Sequence, residues 1–171
     1  GINGIDEYGA TWGGWNGPSV DLQDAFGENA LSLTRNNIDA RRKATMMMYG
    51  DKYEYFWVDK GGLDYNAFAV NRAEYESAVG ANEVKHIVGN NNDHVIGIGK
   101  SMDRMATSLS THLLRLADVY LIYAEAVIGN GSSTTDPSAL KAFNAVRGRS
   151  VQGYTPKTSI TFDEIFDERR R

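Results

Sequence analysis

Leu113, Leu116, Ala117, Tyr120, Leu121, Tyr123, Ala124 and Val127 recur at spacings of three and four. That period draws a wide apolar stripe along a helix of about four turns, which must bury the stripe against something else. The residues that follow supply partners. Gly129 and Gly131 end the first helix. Asp136-Pro137 opens a second, with Pro in the first turn and Asp at or near the cap. Leu140, Phe143, Asn144, Ala145 and Val146 are assigned to its buried face, and Gly148 to its end. Thr161-Phe162-Asp163-Glu164 reads as a capping box, in which Thr161 accepts from the Glu164 amide and Glu164 accepts from the Thr161 amide. Ile165 and Phe166 then face the core. Two helices joined by a polar link of about eight residues form a hairpin, the kind of pair that stacks in tetratricopeptide-type solenoids.

The earlier part of the chain carries weaker periodicity. Residues 1–17 hold Tyr8, Trp12 and Trp15 among six glycines, so this stretch is read as loop. Pro18-Ser19 opens a short amphipathic helix that Gly27 closes. Asp39 to Lys43 starts a helical turn, and Ala44 to Tyr49 either continues it or becomes a strand. Tyr53 to Val58 is aromatic with weak alternation and is expected to be a strand, closed by Gly61-Gly62. Ala73 to Val79 is a helical candidate. Val84 to Val88 and Val95 to Ile98 are candidate short strands, separated by the polar turn Asn90 to Asp93.

Composition narrows the chemistry. The 171 residues contain no cysteine, which removes disulfides, thiolate metal sites and thiol nucleophiles. A net charge of -4 argues against nucleic acid, whose phosphates need a basic face. His86, His94 and His112 have no metal-ligand spacing, and Asn90 to Asp93 lacks the glycine and closing Glu of a calcium loop. No metal and no cofactor is expected. Asp163, Glu164, Asp167 and Glu168 are paired carboxylates of the type glycosidases use. On one helix, however, they serve capping and dipole needs, with Arg169 to Arg171 to neutralise them. No nucleophile-elbow motif is present, and a non-catalytic protein is expected. The chain opens Gly-Ile-Asn-Gly and stops at Arg171 inside a reading-frame of helix, so it reads as a piece of a longer protein.

The run Leu114 to Ala126 (Leu-Arg-Leu-Ala-Asp-Val-Tyr-Leu-Ile-Tyr-Ala-Glu-Ala) resembles the SusD/RagB family signature, with Asp118 where Glu is usual. Ala142 to Arg149 resembles that family's Asn-x-Val-Arg-x-Arg segment, and Phe162 to Arg171 its Asp-Glu-Arg-Arg-Arg segment. Pro18 to Phe26 is similar to an earlier family segment, and Asp39-Ala40-Arg41 to the family's Asp-Pro-Arg. The motifs come in family order, and residues 63–110 align with none. The resemblance implies a mainly α fold, SusD-like and tetratricopeptide-related, with long loops and a few short strands. Residues 1–171 would be the C-terminal portion of such a domain: a loop-rich region over 1–112, then a helical hairpin and a capped third helix over 113–171.

The function implied is capture of an oligosaccharide at the outer-membrane surface of a Bacteroidetes-type bacterium. Delivery would be to a SusC-like TonB-dependent transporter, by a lipoprotein whose anchoring Cys lies outside these residues. A sugar ring has an apolar C–H face that an aromatic side chain covers, while neighbouring polar groups bond its hydroxyls. Tyr8, Trp12, Trp15 and Asn16 supply both chemistries, helped by Asn3 and Asp6, and Trp57 is a further ligand candidate. The competing expectation is that these aromatics simply pack the loop, and that Tyr53, Tyr55 and Trp57 form a core edge. Two rival functions stand beside glycan capture: a SusD-like binder of peptide or another nutrient, and a helical-repeat interaction scaffold. Arg115, Asp118, Glu125, Arg147, Glu168 and Arg169 are expected to pair between packed helices and so to build the fold.

Overall fold

In the computed structural model, the residues described are 17–29, 31–56, 58, 61–66, 79–85 and 112–171. The chain divides into two compact units, one of Gly1–Asn36 with Lys43–Thr111, the other of Asn37–Arg42 with His112–Arg171. The elements, in chain order, are α1 (Val20–Ala25), α2 (Ala40–Thr45), β1 (Met46–Met48), β2 (Lys52–Tyr53), β3 (Leu63–Asp64), β4 (Ala81–Glu83), α3 (Leu116–Ile128), β5 (Ser133–Thr134), α4 (Pro137–Ser150), β6 (Ile160–Thr161) and α5 (Phe162–Arg170). Long helices with a few two- and three-residue strands give the mainly α fold that the sequence implies.

In the first unit, Ser19 caps α1 by accepting from the Leu22 amide at 3.1 Å, so Pro18 precedes the helix and Ser19 starts it. Gly27 ends the segment at φ 70°, a conformation open to glycine. The ambiguity at Asp39 to Tyr49 resolves into both alternatives: helix α2 runs directly into strand β1. β1 pairs antiparallel with β4, Met46 opposite Glu83 and Met48 opposite Ala81. Met46, Met47 and Met48 are all fully buried, and Phe26, Met46, Met48 and Ala81 form the local core with Leu22 against it. Buried Gln23 is satisfied by two carbonyls, donating to Pro18 O at 3.2 Å and Val79 O at 2.9 Å.

Two expectations fail in this unit. The strand expected over Tyr53 to Val58 stops at Tyr53, where β2 pairs with β3 for two residues and Glu54-Tyr55 turn away. The strand expected over Val84 to Val88 is absent at Val84 and Lys85, since β4 ends at Glu83 with its register to the three methionines, and residues 86–88 lie outside the described residues. The candidate elements at 73–79 and 95–98 and the turn at 90–93 lie outside the described residues, apart from Val79.

In the second unit, α3 and α4 form the expected hairpin, and α5 packs on them. Leu121, Ala124 and Ile128 of α3, Ala139, Phe143 and Val146 of α4, Ile160, and Ile165 of α5 make one buried cluster. Asp136 caps α4 by accepting from the Ser138 and Ala139 amides at 2.8 and 3.2 Å, with Pro137 at the first position. The capping box of α5 is present in both directions, Glu164 N to Thr161 Oγ1 at 3.2 Å and Thr161 N to Glu164 Oε2 at 2.9 Å. The β5–β6 pair sets Ser133 opposite Thr161 and so brings the loop after α3 to the start of α5.

The helix boundaries and faces shift in detail. α3 begins at Leu116, and Leu113 and Leu114 before it are exposed. α4 runs through Gly148 to Ser150, since a single glycine lowers helix stability without breaking the backbone pattern. Phe166 and Ala145, expected in the core, are exposed among the described residues, and Ala139 and Ala142 take the buried face of α4 instead. The reason is angular: burial follows contact with the α3 core residues, and Phe166 is one position beyond Ile165, about 100° around the helix.

Candidate functional site

Tyr8, Trp12, Trp15, Asn16 and Trp57 lie outside the described residues, as do Asn3, Asp6, His86 and His94. Next to Trp57, the described residues hold an aromatic turn. Tyr53 and Phe56 stack face to face, with centroids 5.0 Å apart and planes 7° from parallel. The Lys43 ammonium sits 5.1 Å from the Tyr53 ring centroid, and the Tyr53 hydroxyl donates to the Lys43 carbonyl at 2.9 Å. A cation on an aromatic face and a hydroxyl tied to α2 hold Tyr53 in place. Tyr55, between the stacked rings in sequence, is 85% exposed. Expected as part of a core edge, it instead offers a free phenol ring at a turn. The failure of alternation explains the difference: Tyr53, Tyr55 and Trp57 share a face only if the strand continues, and β2 has two residues.

The second arrangement is electrostatic. Glu168 of α5 is 1% exposed and shared by two guanidiniums: Arg41 Nη1 donates to Oε1 at 2.6 Å, and Arg147 Nη1 to Oε2 at 2.6 Å. Arg171 Nη1 stands 3.9 Å from Oε2. Arg41 is itself gripped by Asp39, which accepts from Nε at 2.9 Å, Nη2 at 2.6 Å and the Arg41 amide at 3.0 Å. Burial alone would raise the Asp39 pKa, but the Arg41 hydrogen bonds, with the charges of Arg41 and Arg147, outweigh it and hold the carboxyl below its ordinary value. Burial likewise works against the Arg41 charge, and its bonds to Asp39 and Glu168 reverse that and raise its pKa.

Around this centre the polar contacts continue. The Arg147 guanidinium lies 5.6 Å from the Tyr154 ring centroid. The Tyr154 hydroxyl donates to Asn144 Oδ1 at 2.6 Å, which also accepts from the Lys157 amide at 2.9 Å. Lys157 Nζ pairs with Glu164. Asp39 also bridges Val151 through the backbone, and Gln152 N donates to Ile38 O at 2.8 Å. Arg169 reaches across to Glu125 of α3 at 2.7 Å, and Arg115 pairs with Asp118 within the start of α3 at 3.8 Å. The expected fold-building pairs are therefore present, with Arg115–Asp118 local to one helix and Arg147–Glu168 and Arg169–Glu125 between helices. What sequence reasoning missed is that Asp39 and Arg41 join Glu168; an Asp-x-Arg triplet has no local feature that names a partner 127 residues away.

Three of the four carboxylates that could have suggested glycoside hydrolysis are thus engaged by a cation, and the fourth, Asp163, lies in the acidic first turn of α5. Glu164 faces Lys157, Asp167 faces Arg170 at 3.2 Å, and Glu168 faces the arginines just described.

Three separate segments of the chain, around Arg41, Arg147 and Glu168, the first of them 127 residues before the last, meet at one carboxylate. They are the segments that resemble one family, and comparison with known proteins agrees. The SusD family model matches residues 4–171. The chain belongs to the SusD family. A SusD-like protein of Bacteroides ovatus is 37% identical over 159 residues, covering 93% of this chain and 24% of its own length. A crystal structure with xylogluco-oligosaccharide superposes at a TM-score of 0.64 with 34% identity, covering 89% of this chain and 26% of that one. A second crystal structure gives the same TM-score at 33% identity, with 89% and 25% covered. This SusD-family chain therefore spans about a quarter of the length of the relatives it matches. The family match begins at residue 4 and so takes in residues 4–112, where the resemblance of individual motifs is weakest.

Proposed function

We propose that this chain is the C-terminal portion of a SusD-like domain, loop-rich over 1–112 and helical over 113–171, in a lipoprotein that captures oligosaccharides at the outer-membrane surface. It hands its cargo to a SusC-like TonB-dependent transporter and does no chemistry on it. The observation that carries this reading is the likeness, at 34% identity and a TM-score of 0.64, to a structure with xylogluco-oligosaccharide. Membership of the SusD family supports the surface location and the transporter. No helix among the described residues is long and apolar enough to cross a membrane, and the anchor we infer is a lipid on a segment outside these residues.

Binding uses stacking and hydroxyl recognition. Trp12, Trp15 and Tyr8 cover sugar faces, Asn16 bonds hydroxyls, and Trp57 adds a platform. Tyr55 joins this set, because an exposed ring two residues from Trp57 has the chemistry and the freedom that the buried aromatics lack. The test is calorimetric titration of the complete protein with xyloglucan oligosaccharides, beside a matched panel of peptides. Binding of the glycan, its recovery intact, and a loss of about five- to tenfold in affinity for Trp12→Ala or Trp15→Ala are expected, equivalent to ~1 kcal/mol per platform. Preference for peptides, or unchanged affinity in both folded variants, overturns the assignment.

A further inference from the structure

Tyr55 owes its exposure to the residues on either side of it. Tyr53 and Phe56 flank the turn residues Glu54 and Tyr55, and their rings stack on each other across the turn. An exposed ring gains by settling on a neighbouring ring, but the adjacent ring of Phe56 is already taken by Tyr53. Tyr55 is left 85% exposed, while Tyr53 and Phe56 are partly buried.

Tyr53 is fixed along its whole length. Its backbone pairs with Leu63 of β3, and Gly62 before that strand allows a close approach. At φ 93°, a Cβ on Gly62 would stand 3.2 Å from the Tyr53 carbonyl oxygen and 3.6 Å from Glu54 Cα. At the far end of the ring, the Tyr53 hydroxyl donates to the Lys43 carbonyl at 2.9 Å, with the Met46 carbonyl at 3.4 Å. Met46 belongs to the buried core of this unit, so the hydroxyl is tied to backbone that cannot easily shift. Between these ends the ring holds Phe56 and the Lys43 ammonium. A ring held out from such a turn loses little freedom when a flat ligand face settles on it, whereas a ring on a loose loop must first be ordered.

We infer that Tyr53 is a positioning residue for carbohydrate. It makes no contact with the sugar; braced by Lys43 and Phe56, it holds the turn that presents Tyr55 to the apolar face of a sugar ring. This inference rests on the glycan-binding role of Tyr55 proposed above.

The experiment is titration calorimetry of the complete protein with xylogluco-oligosaccharide, over the double-mutant cycle of Tyr53→Leu and Tyr55→Ala, with thermal unfolding of each variant as the check on folding. Tyr55→Ala alone should weaken binding about fivefold and Tyr53→Leu alone about threefold, and the two together no more than Tyr55→Ala alone. Tyr53→Phe keeps the stack and the cation and should bind nearly as wild type. Lys43→Met, at an exposed side chain, should weaken binding about twofold, Lys43→Arg should not, and the Lys43→Met loss should vanish beside Tyr55→Ala. If Tyr53→Leu does not fold, the Lys43→Met cycle decides alone. Unchanged binding in Tyr55→Ala removes the contact itself, and the role of Tyr55 falls together with the inference. A loss in Tyr55→Ala with none in Tyr53→Leu or Lys43→Met leaves Tyr55 as a contact and overturns the inference only. A Tyr53→Leu loss that persists beside Tyr55→Ala shows that Tyr53 acts by another route, and overturns it as well.

Discussion

Glu168 ties together the segments around Arg41, Arg147 and α5 in the second unit. Its side chain has no exposure, and its two oxygens each receive a guanidinium at 2.6 Å. A buried ion triad need not stabilise a fold more than an apolar cluster of the same volume would, but removing one member leaves the others uncompensated. Glu168→Gln keeps the shape and deletes the charge, leaving Arg147 without its carboxylate while Arg41 keeps Asp39. The expected loss is on the order of 3 kcal/mol, at the low end of the range for broken buried pairs because both arginines keep some contact with water. Urea unfolding of wild type and variant checks this, and Arg169→Ala is the control. Its pair with Glu125 is about one-third exposed on each side, and its loss should cost less than about 1 kcal/mol. The residue scale is also where the sequence is least legible. The charge of Glu168 is plain in the chain, yet burial and the identity of its partners are properties of distant segments.

The elements that local chemistry defines are the ones the sequence discloses. Asp136-Pro137 and Thr161 to Glu164 bond their own neighbours, so the cap is written within four residues and the structure repeats it. β1 is the opposite case. Met46, Met47 and Met48 alternate in nothing, and they become a strand because Ala81 to Glu83 pair with them. Phe166 and Ala145 mislead for a related reason: an apolar side chain announces that it can be buried, not which side of its helix has a neighbour. The aromatic run from Tyr53 to Trp57 misleads through its β propensity, which the turn at Glu54-Tyr55 overrides. The capping box itself offers a clean test. Thr161→Ala removes the acceptor for the Glu164 amide and is expected to cost ~1 kcal/mol, with Thr161→Ser recovering most of it, read as shifts in the urea midpoint.

At the scale of the molecule, the carboxylates set how the second unit responds to acid. Burial pushes Glu164 up, but its pair with Lys157 and the bond from the Thr161 amide prevail and hold its pKa below the ordinary value, as Arg41 does for Asp39. A depressed native pKa means that the unfolded chain binds protons first as pH falls. The contribution of both groups is therefore complete above the unfolded carboxylate value of about 4 and is lost as pH drops through the lower native values. Thermal midpoints should fall on acidification below about pH 4, and Asp39→Asn together with Glu164→Gln should flatten that fall. Family and mainly helical architecture are legible from sequence at this scale, because several motifs in order constrain each other. The candidate glycan-contacting residues are legible only as chemistry: flat rings among glycines and amides, without the geometry that would bring them together.

The meeting of Arg41, Arg147 and Glu168 has a consequence for how such a chain can vary through descent. Because one carboxylate serves cations from separate segments, the effect of changing any of the three depends on the state of the other two, and their energies do not add. The three positions form a single heritable unit spread over 127 residues. An exchange of sequence between relatives whose boundary falls between Arg41 and Arg147 is harmless when both parents carry the same trio. It is damaging when they differ, even if every element on either side of the boundary folds well in its own parent.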